Sequence, residues 1–128
     1  MASGGNDNFV FVWEPKMNKA LAKLSEHTAA VKALAWSPHK TTLLATGGGS
    51  TDKTIKLWDI NEMICTKTIE TGSQVCNMTF SNTTDELVST HGYSLNSIVV
   101  WKTKTMEKLT TLNGHTFRVL YLAKSPDD

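Results

Sequence analysis

Two cysteines, Cys65 and Cys76, are all that the 128-residue chain carries. They form no C-x-x-C pair and no histidine lies at zinc-finger spacing from them, which excludes a disulfide scaffold and a structural metal knuckle. Each is expected to be a reduced, partly buried small hydrophobe of an intracellular protein. Excess charge is also lacking: 13 Lys+Arg against 12 Asp+Glu leaves a net charge of +1. No field strong enough to recruit nucleic acid or an acidic membrane follows from that balance. Long apolar runs are missing too, and none approaches the roughly eighteen residues of a membrane span. The opening "MASGGNDNFV" has neither a basic n-region nor an apolar h-region. The chain reads as soluble and unexported, with neither nucleic acid nor membrane as a partner, and its length suits one ordinary domain.

What is present begins with glycine. The stretch "LLATGGGSTDKTIKLWD", Leu43 to Asp59, places three glycines ahead of Lys53 and Thr54. A phosphate-binding loop needs glycine directly before its lysine and a helix after it, so that backbone N–H groups converge on the anion. Here Asp52 precedes the lysine, and Thr54-Ile55-Lys56-Leu57-Trp58 alternates polar and apolar with β-forming residues, which predicts a strand. A nucleotide cofactor is thereby argued against, and no cofactor or metal is expected.

The glycines recur instead. Ser3, Thr46 and Ser89, in "ASGG", "ATGG" and the decayed "VSTH", are 43 and 43 residues apart. Trp13, Trp58 and Trp101 close "FVFVWE", "TIKLWD" and "SIVVWK" at spacings of 45 and 43. Val31, Val75 and Val119, in "HTAAVKALAWSP", "TGSQVCNMTFSN" and "HTFRVLYLAKSP", fall 44 and 44 apart. Three independent markers share one period, which is the mark of a repeat architecture. Within a unit, strands are predicted over Val31 to Trp36, Leu43 to Thr46, Thr54 to Trp58 and Cys65 to Ile69, with turns at "SPHKT", "GGGSTD" and "INEM". "GGGSTD" then becomes a tight connection in which glycine allows positive φ and close backbone approach.

This pattern resembles the WD40 β-propeller blade. The resemblance implies an all-β fold: a propeller fragment of about three four-stranded blades out of a probable seven. Its units are an incomplete blade over 1–26, a complete blade over 27–70, a complete but degenerate blade over 71–114, and the first strand of a further blade over 115–128. Such a chain is expected to be a fragment of a longer propeller or to be completed by a partner, since unclosed blades leave sheet edges bare.

In WD40 blades a His, a Ser or Thr, an Asp and the Trp share a hydrogen-bond network, here His27, Thr46, Asp52 and Trp58. The same foursome could be read as a catalytic His/Asp/Thr set, but its recurrence favours structure. The first unit keeps Ser3, Asp7 and Trp13. The third has decayed: Thr71 stands in place of His, Leu95 in place of Asp, and Lys102 follows Trp101.

"SGGNDN", "LLATGGGSTDKTIKLW", "TGSQVCNMTFSN", "ELVSTHGYSLNSIVVWK" and "LNGHTFRVLYLAKSPD" together resemble the Fizzy/Fizzy-related family, the WD40 activators of the anaphase-promoting complex, across essentially the whole chain. "TGSQVC" and "RVLYLA" are closer to the Fizzy-related branch. The resemblance implies a non-catalytic module that holds destruction motifs of substrate proteins for a ubiquitin ligase in nucleus and cytoplasm. It places a Lys-Glu-Asn peptide on the top face at Asn6, Asn8, Ser50, Gln74 and Arg118. The repeat agrees in one respect: Gln74 and Arg118 each precede a repeat valine, so they occupy equivalent positions on neighbouring blades. Arg118 suits a carboxylate and the amides both donate and accept. Ala30, at the equivalent place one unit earlier, shows that the repeat does not require polarity there. A generic WD40 scaffold for another assembly is the competing expectation.

Overall fold

Short strands separated by turn residues resolve into three antiparallel meanders. The computed structural model describes residues 1–14, 19–92, 95–115 and 117–125. The first sheet holds β1 (Ala2–Gly4), β2 (Val10–Glu14) and β3 (Lys19–Leu24). The second holds β4 (Val31–Trp36), β5 (Leu43–Gly48), β6 (Thr54–Asp59) and β7 (Ile64–Glu70). The third holds β8 (Val75–Phe80), β9 (Glu86–His91), β10 (Ile98–Lys102) and β11 (Glu107–Leu112). In each sheet the spatial order is the sequence order, as tight turns between antiparallel neighbours require. The predicted strands of the middle blade are therefore present, each within two residues at its ends.

The blades stack face to face, and the core lies between them. Val10, Val12 and Leu24 of the first blade pack with Val31, Leu44 and Trp58 of the second. Ala33, Ala45, Ile55 and Leu57, from the other face of the second blade, pack with Val75, Phe80, Leu87 and Trp101 of the third. A blade covered on both sides loses the exposed half of its alternation. In β6, Thr54 through Trp58 are all buried, the amine of Lys56 donating to Thr68 Oγ1 at 3.2 Å. The outer strands β7 and β11 are mostly exposed.

Irregularities repeat with the same period as the sequence. Register shifts fall immediately before Trp13, Trp58 and Trp101, and again just after Val31 and Val75. A bulge bends its strand and re-aims a side chain; beyond it, Trp58 and Trp101 each pack against the preceding blade.

Two expectations need correction. None of Gly47, Gly48 and Gly49 has a positive φ; the left-handed residue of that connection is Lys53, at φ 60. The glycines serve close approach only. A Cβ on Gly47 would run into the Val75 side chain of the next blade, and one on Gly48 into the Asp52 carboxylate. Second, residues 117–125 form no strand. Within this segment Val119 N–H bonds to His91 O at 3.1 Å, a contact to the end of the preceding blade's second strand and not a ladder.

Candidate recognition face and its supporting network

The middle blade contains a four-membered relay. Trp58 Nε1–H donates to Thr46 Oγ1 at 2.9 Å, and Thr46 Oγ1 lies 2.5 Å from His27 Nε2. The Asp52 carboxylate beside Nδ1 can only accept, so the neutral His27 ring carries its hydrogen on Nδ1 and its Nε2 accepts the Thr46 hydroxyl proton. His27 Nδ1–H then donates to Asp52 Oδ2 at 2.6 Å. Asp52 also accepts from Thr28 N–H at 3.0 Å and from the Thr54 hydroxyl. Burial pushes the His27 imidazole below its ordinary value, only partly offset by the Asp52 carboxylate. For Asp52 burial acts upward, but the hydrogen bonds from Thr54, His27 and Thr28 outweigh it and hold the carboxyl low. A neutral histidine beside an ionised aspartate, both satisfied, is a structural clamp between the His27 loop and the β5–β6 turn. Thr46 is fully buried with both hydroxyl roles taken, so it presents no exposed nucleophile.

The flanking blades keep parts of this relay. Trp13 Nε1–H donates to Ser3 Oγ at 2.8 Å, while Asp7 only accepts from Phe9 N–H at 3.3 Å. In the third blade Trp101 Nε1–H donates to Ser89 Oγ, which lies 2.8 Å from His91 Nε2. Sequence comparison alone marks that blade as decayed because Thr71 replaces the loop histidine. The structure shows the imidazole supplied from a different place, two residues further along the serine's own strand. The signal was the "S-x-H" of "VSTH", which puts both side chains on one face of a strand. Thr71 instead sits within 2.8 Å of the Lys53 and Ser73 carbonyls, and Leu95 is exposed. Burial pushes His91 down to about 4, against a weaker opposing pull from the Gln74 backbone carbonyl. Nδ1 of His91 meets no partner in hydrogen-bond geometry among the described residues.

All five proposed peptide-binding residues lie at the same end of the sheets, where second strands leave and first strands enter. Asn6 and Asn8 sit on the turn after β1, whose Gly5 carbonyl accepts from Val31 N–H of the next blade at 3.1 Å. Asn8 is held in the left-handed region at φ 69, which asparagine tolerates. Ser50 is exposed on the β5–β6 turn, beside Gly49, which closes on Ala29 and Ala30. Gln74 and Arg118 meet at one point: an ideal Cβ at Gly92 would stand 2.9 Å from Gln74 Oε1 and 2.9 Å from Arg118 Cγ. Gln74 is mostly buried and Arg118 exposed. The side chains of Asn6, Asn8, Ser50, Gln74 and Arg118 make no hydrogen bond or ion pair to any described residue. No direct bond joins the asparagines or Ser50 to the Gln74–Arg118 pair.

The cysteines are both free, Cys76 buried and Cys65 partly so. Burial pushes the Cys76 thiol up, opposed by the nearby cations of Arg118 and Lys32. A groove of about 410 Å³ between the second and third blades, lined by His39, Lys40, Lys67, Asp85 and Lys104 among others, lies at the opposite end of the sheets.

Stacked antiparallel meanders of three and four strands, each with a Trp–Ser/Thr hydrogen bond, define a WD40 propeller segment. A family model described as "WD domain, G-beta repeat" matches residues 18–59. A solved structure titled "Crystal Structure of Mitotic Checkpoint Complex" superimposes with a TM-score of 0.95 at 41% identity, covering 98% of this chain and 39% of that one. Within the WD40 proteins, the chain matches the Fizzy and Fizzy-related group along its whole length and the Fizzy-related branch more closely. It is 58% identical to Protein FIZZY-RELATED 2 of Arabidopsis thaliana over 127 residues, 99% of this chain and 26% of the relative. Against "Cell division cycle 20.1, cofactor of APC complex", also of Arabidopsis thaliana, identity is 48% over 99% of this chain and 29% of the relative. The chain thus spans about a quarter of the length of the curated relatives it matches.

Proposed function

We propose that these blades form part of the substrate-recognition face of an anaphase-promoting complex activator. The segment acts without catalysis. It binds a Lys-Glu-Asn destruction motif of substrate proteins, and the ligase is engaged through other parts of the activator, in nucleus and cytoplasm. One contrast carries the reading. Polar side chains that recur in every unit (Ser3, Thr46, Ser89) are consumed in internal hydrogen bonds, whereas Asn6, Asn8, Ser50, Gln74 and Arg118 have none among the described residues. Polar groups without internal partners at one end of a rigid scaffold are available to a ligand. Arg118 offers a planar fork to the Glu carboxylate, and the amides match the Asn side chain, which needs both a donor and an acceptor.

Titration of the full-length chain with a Lys-Glu-Asn peptide and with its triple-alanine control tests this. Selective binding of the first peptide is the expected result. Equal affinity for both would refute it and leave a WD40 scaffold for a different partner.

A further inference from the structure

We infer that Gly92 is a positioning residue of the recognition face: its missing side chain is what lets Gln74 and Arg118 aim at a common ligand. The inference rests on the reading of that face given above. Gly92 is buried and follows His91 at the end of β9. Its backbone is fixed on three sides. Gly92 N–H donates to Gln74 O at 3.1 Å, Asn96 N–H donates to Gly92 O at 2.8 Å, and the adjacent His91 O accepts from Val119 N–H at 3.1 Å. The first ties Gly92 to Gln74 itself, and the third ties its neighbour His91 to Val119, which follows Arg118, so this stretch of backbone is the common seat of both side chains.

The need for glycine here is not conformational, since φ at Gly92 lies outside the left-handed region. It is spatial. A Cβ would meet Gln74 Oε1 at 2.9 Å, Arg118 Cγ at 2.9 Å and Arg118 Cδ at 3.0 Å, distances that a methyl group does not tolerate. Neither obstacle is backbone. One is the tip of an amide and the other the stem of an exposed arginine, so the fold can yield by swinging both side chains away. That relief displaces the amide and the guanidinium, the two groups that would read the peptide. Gly92 is thus distinguished from Gly47, where the obstacle is the buried Val75 of the next blade and the cost falls on packing. A side chain at position 92 spoils aim before it spoils stability.

The test is a mutant cycle on the full-length chain, with Lys-Glu-Asn peptide affinity and thermal midpoint as readouts. Gly92→Ala should weaken peptide binding by about ten-fold or more, with the midpoint within about 3 °C of the parent. In a Gln74→Ala/Arg118→Ala background, adding Gly92→Ala should change residual affinity by less than about two-fold, because the displaced groups are already gone. If Gly92→Ala alone fails to fold, the triple variant should fold as the double variant does; its failure as well would overturn the proposal. Normal peptide binding by Gly92→Ala, while Arg118→Ala binds poorly, also overturns it and leaves the recognition face intact. If Arg118→Ala and Gln74→Ala bind normally, the recognition face itself is wrong, and the inference falls with it.

Discussion

Asp52→Ala tests the claim that the relay is structural. The carboxylate accepts three hydrogen bonds, and their losses are unequal. Thr28 is exposed, so its amide turns to water at little cost. His27 and Thr54 are buried, and the His27 and Asp52 side chains are only 1% and 4% exposed. Removing the acceptor strands His27 Nδ1–H and the Thr54 hydroxyl, each of which costs about 1–2 kcal/mol when left unpaired, for a total of roughly 2–4 kcal/mol. The bond to histidine counts as one to a neutral donor, because burial keeps the ring uncharged. Asp7 supplies an internal control at the equivalent position, where an exposed carboxylate receives only the Phe9 amide. Its replacement by alanine should stay within about 0.5 kcal/mol. Urea unfolding followed by far-ultraviolet circular dichroism measures both, provided the m-value is unchanged. Equal shifts for the two variants would refute the reasoning, as would loss of peptide binding in folded Asp52→Ala protein.

Further outcomes follow from the same geometry. Arg118→Ala should weaken Lys-Glu-Asn peptide binding by about 1–3 kcal/mol, the cost of a truncated charge-assisted contact, with unfolding unchanged; isothermal titration checks it. Gly47→Ala should destabilise by about 1–3 kcal/mol through overpacking against Val75, read by the denaturation midpoint. Stability should also fall on acidification below about pH 6.5. His91 is held at about 4 when folded, so the unfolded chain binds the extra proton across that window and is favoured as pH drops. His27, lowered in the same direction, adds to the slope. His91→Gln should flatten stability between pH 6.5 and pH 4 relative to the parent, and parallel pH curves would contradict the assignment.

Most of the architecture was legible because a propeller writes its fold once per blade. Tryptophans and valines at one period mark strand positions that must face a neighbouring sheet, and the burial of Trp58 and Trp101 against preceding blades follows from that. The hydrogen-bond relay of the middle blade was legible for the same reason. The relay of the third blade was not, since alignment by repeat asks whether a residue type recurs at a given place, while hydrogen bonding asks only whether an imidazole reaches the serine. His91 reaches Ser89 from the same strand. The convergence of Gln74 and Arg118 was half legible: equal spacing put them on one rim, but their shared seat at Gly92 depends on how a turn folds back between blades. The period does not encode that.

Repetition and hydrogen bonding together separate scaffold from site in a way that neither does alone. A polar residue that recurs in every unit and is satisfied internally is explained by the fold, as Ser3, Thr46 and Ser89 are beneath their tryptophans. A polar residue that the repeat does not demand, as Ala30 shows for the place held by Gln74 and Arg118, and that has no internal partner, is unexplained by the fold. Ordering a long cation such as arginine beside a mostly buried amide costs side-chain entropy and returns no intramolecular bond. A ligand that bridges the two is the contribution that would offset that cost. Recognition in such a protein is thus to be sought where successive blades differ, on turns whose backbone the identical parts of those blades hold still.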